Sequence, residues 1–560
     1  MGVMDYIEII MKILGGMGAF LIGMSSLSEN LTRLAHGKMR NMLNKTAKNR
    51  FAGVGIGAGV TLVAQSSALT TVMVVGLVNA GIMTLFQATA IIMGANIGTT
   101  ITGWLVSLSS FSVTTFALCL TAIGVFMGMF SKKEKVKTVG SALAGLGLIF
   151  VGLSFMSGAM SFEEGTPLYA KISGVLEKIS NPALLLLIGI VLTALVQSSS
   201  AVTAIIITMA GQGLLIGGGG NAVYYIIIGS NIGTCITALI SSLGATPNAK
   251  RAALIHFLFN LFGAIIFTVF LLCWKGFADT VLVKMFPTVP AFQIATFHTL
   301  FNVVCALIFL PFINVFVKLA DLIVPDKKKS GNKTEAEESK EGLAMAFDER
   351  LLRSPSVALG YLYQETGKLF TFAMDTLDRA FEAFIAKDAS VKDKVAENNN
   401  EISSTNREMV SYLVKISATA PAIEDEKTIS SLHYVLNDIS RIGELADNVT
   451  KYTEHYVNDG LVFSGEFLKM LEEMYKKIKN LYVLSLATFV YKDHSRLADV
   501  DAQEDEIDRD RKRLVSTHIE RLNEGKCQPQ NSSVFINLVG NLERAADHIT
   551  YIAHSIEETA

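Results

Sequence analysis

Apolar residues in this chain are gathered into long runs that end at Pro325. They lie at roughly 6–28, 51–64, 68–95, 97–110, 112–131, 139–160, 182–195, 199–216, 222–245, 252–273 and 293–324. A helix needs ~20 apolar residues to cross a bilayer. Inside hydrocarbon every backbone N–H and C=O must find a partner within the protein, which favours helices. The expected fold is therefore all-α, a polytopic membrane unit over residues 1–325. Several runs are shorter than a crossing and are interrupted by Gly, Ser and Asn, the pattern of broken or re-entrant helices.

Two pairs of segments repeat in the same order. VAQSSALTTVMVV at 63–75 matches LVQSSSAVTAIII at 195–207, with Gln65 and Gln197 132 residues apart. IIMGANIGTTITGWLVSL at 91–108 matches IIIGSNIGTCITALISSL at 226–243, with Asn96 and Asn231 135 residues apart. The two spacings differ by three residues, which are assigned to the IGGGGN loop of the second copy. This is a duplication, with repeats at about 51–110 and 182–246.

Loop charge sets the expected orientation. Residues 29–50 carry Arg33, Lys38, Arg40, Lys45, Lys48 and Arg50 against Glu29, and KKEKVK (132–137), NAKR (248–251) and DKKK (326–329) are also basic. Residues 161–181 carry Glu163, Glu164 and Glu177 against Lys171 and Lys178. The positive-inside rule makes the basic loops cytoplasmic and 161–181 external; 274–290 is then external too. The first repeat starts inside and the second outside, so the halves are expected to be inverted, as in many secondary transporters. The first run carries Asp5 and Glu8 and lacks a basic leader and a cleavage pattern, so it reads as a membrane helix and not a removable signal. The five cysteines form no C-x-x-C pair and no metal spacing, and no disulfide framework is expected.

Beyond Pro325 the character changes. Residues 326–342 form a charged linker, and 343–560 carry amphipathic helical patterns with a second duplication. NNEISSTNREMVSYL (399–413) matches EDEIDRDRKRLVSTH (504–518), and ISRIGELADNVTKY (439–452) matches LERAADHITYIAHS (542–555). A helical bundle of two similar halves is expected on the cytoplasmic side.

The chemistry points to the duplicated polar clusters, Gln65-Ser66-Ser67 and Gln197-Ser198-Ser199-Ser200. Amides and hydroxyls inside an apolar segment are costly unless partnered or wet. Small-residue helix packing is enough to account for a lone Ser-Ser, but packing does not require a glutamine twice. Where a helix breaks, its first amides and dipole can hold an anion, and hydroxyls add donors. Exposed carbonyls at the opposite ends suit a hard cation. Residues 51–110 and 182–246 contain no Asp, Glu, Lys, Arg or His, which favours a metal cation over a proton as coupling ion. In GANIGTT and GSNIGTC, Asn96, Thr99, Asn231 and Thr234 are candidate lining residues; a purely structural helix break is the alternative. His256/Asn260 and His298/Asn302 stand one turn apart, and interhelical hydrogen bonding suits them better than a metal. In the bundle, Asp505, Glu506, Asp508, Glu543 and Asp547 could share a multinuclear metal cluster, or simply form a solvated charged face.

The paired QSS motifs, the two glycine-rich motifs and RAALIHFLFN at 251–260 resemble the bacterial branch of the type II sodium–phosphate cotransporter family over residues ~10–320. The resemblance implies sodium-coupled transport of inorganic phosphate, with both QSS motifs at the phosphate site. Ala68 replaces a serine of the fuller QSSS motif and removes one hydroxyl. Residues 343–560 resemble PhoU, a regulator of phosphate uptake with two three-helix repeats and E/D-x-x-x-D metal motifs holding a divalent or iron cluster. Glu543 and Asp547 keep that motif, and Ser440 with Glu444 departs from it. The expected partners are phosphate, sodium and the lipid bilayer of the cytoplasmic membrane, without nucleic acid. An enzyme is not expected, since no P-loop or nucleophile–base pair stands out. A phosphate exporter of the same fold and a membrane-tethered phosphate sensor are the rivals.

Overall fold

In a computed structural model the described residues are 3–44, 49–111, 113–162, 166–326, 347–353, 355–419 and 423–557. They are helical nearly throughout, with no strand among them. The chain divides into two units, Met1–Asn332 and Lys333–Ala560. Glu163, Glu164 and nearly all of the expected linker lie outside the described residues.

The first unit opens with α1 (Val3–Asn44), and the two repeats follow the same plan. In the first, α2 (Arg50–Ala64), α3 (Ser67–Asn79) and α4 (Leu85–Ser107) run in succession. The helices α5 (Thr114–Phe130), α6 (Glu134–Met160) and α7 (Pro167–Lys178) separate it from the second. There α8 (Pro182–Val196), α9 (Ser199–Gly211) and α10 (Ala222–Ser241) repeat the pattern. The unit closes with α11 (Pro247–Cys273), α12 (Pro290–Phe309) and α13 (Ile313–Ile323).

Local chemistry sets these boundaries. Asn49 and Asn181 cap α2 and α8 by accepting from Phe51 N–H and from Ala183 and Leu184 N–H. Thr84 and Gln87 form a capping box that starts α4, so the run read as 68–95 is divided at 80–84. In the second repeat the equivalent connection carries four glycines in succession at positive φ, Gly217 to Gly220, which lengthens it where the insertion was expected.

Packing explains the glycine-rich motifs. GANIGTT lies in mid-α4 and GSNIGTC in mid-α10, with no helix break at either. A Cβ on Gly94 would lie 2.0 Å from Val54 O, and one on Gly57 2.0 Å from Ile91 O. The second repeat reproduces both contacts: Gly229 faces Leu186 O at 2.1 Å and Gly189 faces Ile226 O at 2.2 Å. Glycine here allows two helix backbones to touch, α2 with α4 and α8 with α10, as small residues do in membrane interfaces. The structural alternative to a site holds for these glycines, though as close approach and not as a break.

Among the described residues six helices are long and apolar enough to cross a membrane, or seven if the pair Tyr169–Lys178 and Pro182–Val196, bent by 107°, counts as one span. The shorter apolar helices are Arg50–Ala64, Ser67–Asn79, Thr114–Phe130 and Ser199–Gly211, which include both arms of the first repeat's broken segment. Leu195, Met129, Phe130, Leu307 and Leu322 are exposed, as side chains that meet lipid would be.

The second unit is two sets of three helices. The first set is α14 (Pro355–Ala386), α15 (Lys392–Ser417) and α16 (Ile423–Asn458). The second is α17 (Gly465–Tyr491), α18 (Leu497–Asn523) and α19 (Asn531–His554). Within each set the three helices pack on one another, and α16 packs on α19 to join the sets. The first turn of each set is the same device: a left-handed lysine, Lys387 or Lys492, precedes Asp388 or Asp493, whose carboxylate accepts from Ser390 or Ser495 N–H.

Candidate functional site

The QSS motifs are the breaks between short helices. Gln65 ends α2 at φ 49, ψ 20, and Gln197 ends α8 at φ 56, ψ 24. Left-handed backbone in a residue with a Cβ costs of order 1–3 kcal/mol and persists only where the surroundings impose it. Ser66 and Ser198 then adopt extended backbone and cap α3 and α9, accepting from Leu69 N–H at 3.1 Å and Ala201 N–H at 3.2 Å. Ser67 and Ser199 are the first helical residues, and both are buried. Each motif thus places a helix N-terminus and its leading amides at a bend inside the apolar unit, the setting that favours an anion. The next residue is Ala68 in one copy and Ser200 in the other, so only the second adds a hydroxyl there.

The two short helices are tied to each other's repeats. Both α3 and α9 pack on both long helices, α4 and α10. Beyond these, α11 packs on α3 and α12 packs on α9.

Asn96, Thr99, Asn231 and Thr234 are all buried. Thr99, Asn231 and Thr234 bond back to carbonyls of their own helices, those of Ala95, Ile227 and Ser230. Asn96 reaches across to α11, donating from Nδ2 to Asn260 Oδ1 at 3.5 Å. Asn260 donates in turn to His256 O at 2.9 Å and Cys235 Sγ at 3.4 Å. The expected interhelical bonds of the two H-x-x-x-N pairs are only partly present. Asn260 makes two, with Asn96 of α4 and Cys235 of α10, whereas Asn302 donates to His298 O on its own helix. Both ring nitrogens of His256, and Nδ1 of His298, are buried without a hydrogen-bond partner among the described residues.

Sequence reasoning missed the threonines around the break. Thr102 Oγ1 donates to Gln65 Oε1 at 3.2 Å, and Gln65 Nε2 donates to Leu62 O at 2.6 Å. Thr61 Oγ1 donates to Thr70 Oγ1 at 2.9 Å, while its counterpart Thr193 donates to Ser230 Oγ at 2.8 Å. The spacing of the repeats was the available signal, since it pairs Thr61 with Thr193 and Thr102 with Thr237.

The carboxylates of the second unit do not converge as expected. Asp505 and Glu506 are exposed, and Glu506 pairs with Lys477 at 3.3 Å. Asp508 is held by Arg511 and Lys512, and Glu543 by Arg511 at 3.3 Å. Lysine and arginine occupy the positions a cation would take. Among the described residues no group of three or more His, Cys, Asp or Glu is placed to hold a metal ion. The residues therefore do not fit a divalent or iron cluster as arranged. The real cluster includes Glu504, which the i, i+4 spacing does not single out. Glu504, Glu543 and Asp547 are all raised from their ordinary values, first by burial; the charge of Asp547 then raises Glu504 and Glu543, and that of Asp508 raises all three. A second unforeseen contact joins the sets, His548 Nδ1 to Asp438 Oδ1 at 2.9 Å.

The Na+/Pi-cotransporter family profile matches residues 19–158 and 167–283, and the PhoU domain profile matches 367–453 and 471–556. The uncharacterized protein YqeW of Bacillus subtilis is 32% identical over 312 residues, 55% of this chain and 96% of that protein. The chain belongs to the Na+/Pi-cotransporter family. It is a multi-pass membrane transporter with a C-terminal PhoU domain, whose two matched segments fall on the two three-helix sets. The Escherichia coli protein YjbB, provisionally named for inorganic phosphate export, is 21% identical over 557 residues, 98% of this chain and 97% of that protein. The sodium-dependent phosphate transport protein 2A of Rattus norvegicus is 36% identical over 98 residues, 17% of this chain and 15% of that protein.

Proposed function

We propose that this cotransporter-family protein carries inorganic phosphate across the cytoplasmic membrane coupled to sodium, with the PhoU domain regulating from the cytoplasmic side. The carrying observation is the duplicated break: a left-handed glutamine, a capping serine and a helix N-terminus, twice, in repeats (51–110 and 182–246) without Asp, Glu, Lys, Arg or His. The amides at Ser67 and Ser199, with the hydroxyls of Ser66, Ser67, Ser198, Ser199 and Ser200, would bind phosphate oxygens, and Gln65 and Gln197 add amide groups. Asn96, Thr99, Asn231 and Thr234 form the wall behind. Sodium rather than a proton is the coupling ion in this reading, because neutral oxygens are all that residues 51–110 and 182–246 offer. Unit 1–325 would transport and 343–560 would regulate.

The test is phosphate flux in proteoliposomes with a sodium gradient imposed in either direction. Concentrative flux should follow sodium, vanish when potassium or choline replaces it, and not return with a pH gradient alone. Flux driven by protons alone would overturn the coupling. Failure to exchange labelled phosphate in counterflow would favour a sensor over a carrier. Export is a second reading, favoured by the end-to-end likeness to YjbB; flux against an inward sodium gradient would support it.

A further inference from the structure

The repeats make the same local structure from the same residues, yet their glutamines are held differently. Gln65 and Gln197 occupy equivalent positions with nearly equal backbone angles. Thr102 and Thr237 are equivalent too, each eight residues beyond the close-contact glycine, Gly94 or Gly229, of its long helix. In the first repeat Thr102 Oγ1 donates to Gln65 Oε1, and the amide is fixed at its other end by Leu62 O. In the second repeat Thr237 Oγ1 is buried with no partner, and Gln197 is exposed with no side-chain hydrogen bond among the described residues.

The asymmetry does not come from the Gln and Thr themselves, because both repeats have them at these places. The neighbouring Thr61 and Thr193 show the contrast. Their partners differ because Thr70 is replaced by Val202 and Ser230 by Ala95 in the other repeat, so that difference is written in the sequence. At the Gln–Thr pair the same two side chains meet in one repeat and not in the other. A buried hydroxyl without a partner is a cost that a second arrangement can relieve.

We infer that Thr102 and Thr237 are a matched pair of positioning residues that latch the two site glutamines in turn: Thr102 holds Gln65 in the conformation seen, and Thr237 holds Gln197 in the oppositely facing one. A latched glutamine has its carbonyl oxygen and one amide hydrogen committed, and an unlatched one offers both to the bound ions. Exchange of the latch thereby exchanges which motif is engaged, as rocking of inverted repeats about a fixed site requires. The inference rests on the proposed phosphate site at the QSS motifs.

Thr102→Val and Thr237→Val keep the side-chain shape and remove the hydroxyl, and each should bias the protein toward a different end state. In proteoliposomes of known orientation, the half-saturating phosphate concentration is measured from each face. The ratio between faces should shift by about threefold or more, in opposite directions for the two variants, the range one hydrogen bond gives. The double variant should return the ratio close to that of the unaltered protein, and Thr102→Ser and Thr237→Ser should preserve it. Shifts in the same direction, or no shift with either variant, would overturn the latch. Should a valine variant fail to fold, the alanine variant at the same position is read against the same expectation. Gln65→Ala and Gln197→Ala measured alongside separate the two ideas: if both transport normally, the site assignment itself fails. If both are dead while the threonine variants show no opposite shift, only the latch fails.

Discussion

Asn96 and Asn260 meet side chain to side chain, Nδ2 to Oδ1 at 3.5 Å, and so join the long helix of the first repeat to the helix that follows the second. Both are buried, and Asn260 also donates to Cys235 and to the carbonyl of His256. Their replacement should uncouple the repeats. Asn260→Ala is expected to cost about 1–3 kcal/mol, since it strands buried polar groups. Asn96→Ala should cost less, and the pair should be non-additive by about 0.5 kcal/mol in a double-mutant cycle on thermal stability in detergent. Strict additivity would show that the contact carries no energy.

Two glycines on one helix give an internal control. A Cβ on Gly57 would lie 2.0 Å from the carbonyl oxygen of Ile91, whereas nothing lies within 4 Å of one on Gly55. Gly57→Ala should force α2 from α4 and cost about 1–3 kcal/mol or prevent folding. Gly55→Ala should be neutral, or stabilising by up to about 1 kcal/mol, because alanine favours the helix. Monodisperse yield and melting temperature of the two variants decide it, and equal behaviour would contradict the packing described.

The left-handed glutamines separate binding from strain. Gln65→Gly and Gln197→Gly should be more stable than the matching alanine variants by about 1 kcal/mol, because glycine adopts that backbone freely. Both substitutions at each position should nevertheless reduce phosphate flux severely, since each removes the amide. A glycine variant with near-normal flux would mean that the glutamine is there for its backbone alone.

How much of the structure was legible in the sequence depended on whether the determining contact was local. The breaks at Gln65 and Gln197 were legible because amide and hydroxyl groups are costly in an apolar run unless they serve a bend or a wet site, and because they occur twice. The two similar halves of the C-terminal unit followed from its own duplication, and three helices in each from the resemblance to PhoU. The glycine-rich motifs misled toward a helix break, because Gly94 and Gly229 are explained by backbones some forty residues earlier, Val54 and Leu186, on another helix. The isolation of the His256 ring is likewise set by which helices surround it. The acidic cluster failed for a different reason: i, i+4 spacing located Glu543 and Asp547 on one face but could not show that Arg511 reaches into them from α18.

That cluster yields a pH dependence with a definite sign. Asp547, Glu543 and Glu504 are raised from their ordinary values first by burial and then by repulsion from neighbouring carboxylates, Asp508 acting on all three. The folded state therefore binds protons more tightly than the unfolded chain, so the stability this contributes is fully present below the unfolded carboxylate range, about pH 4, and is lost as pH rises through the raised folded values. At neutral pH the ionised cluster is a net burden, offset in part by Arg511. Asp547→Asn should accordingly raise the unfolding temperature of the C-terminal unit at pH 7 in the full-length protein, and the gain should shrink as the pH is lowered toward 4. Arg511→Met should lower it at pH 7 and do less harm in acid. The same series tests metal binding, for a divalent cation that displaced Arg511 would stabilise the unaltered protein and have little effect on Asp547→Asn. If acidification from pH 7 to 5 widens the advantage of Asp547→Asn, the carboxylates are not repelling one another and the proton linkage has the opposite sign.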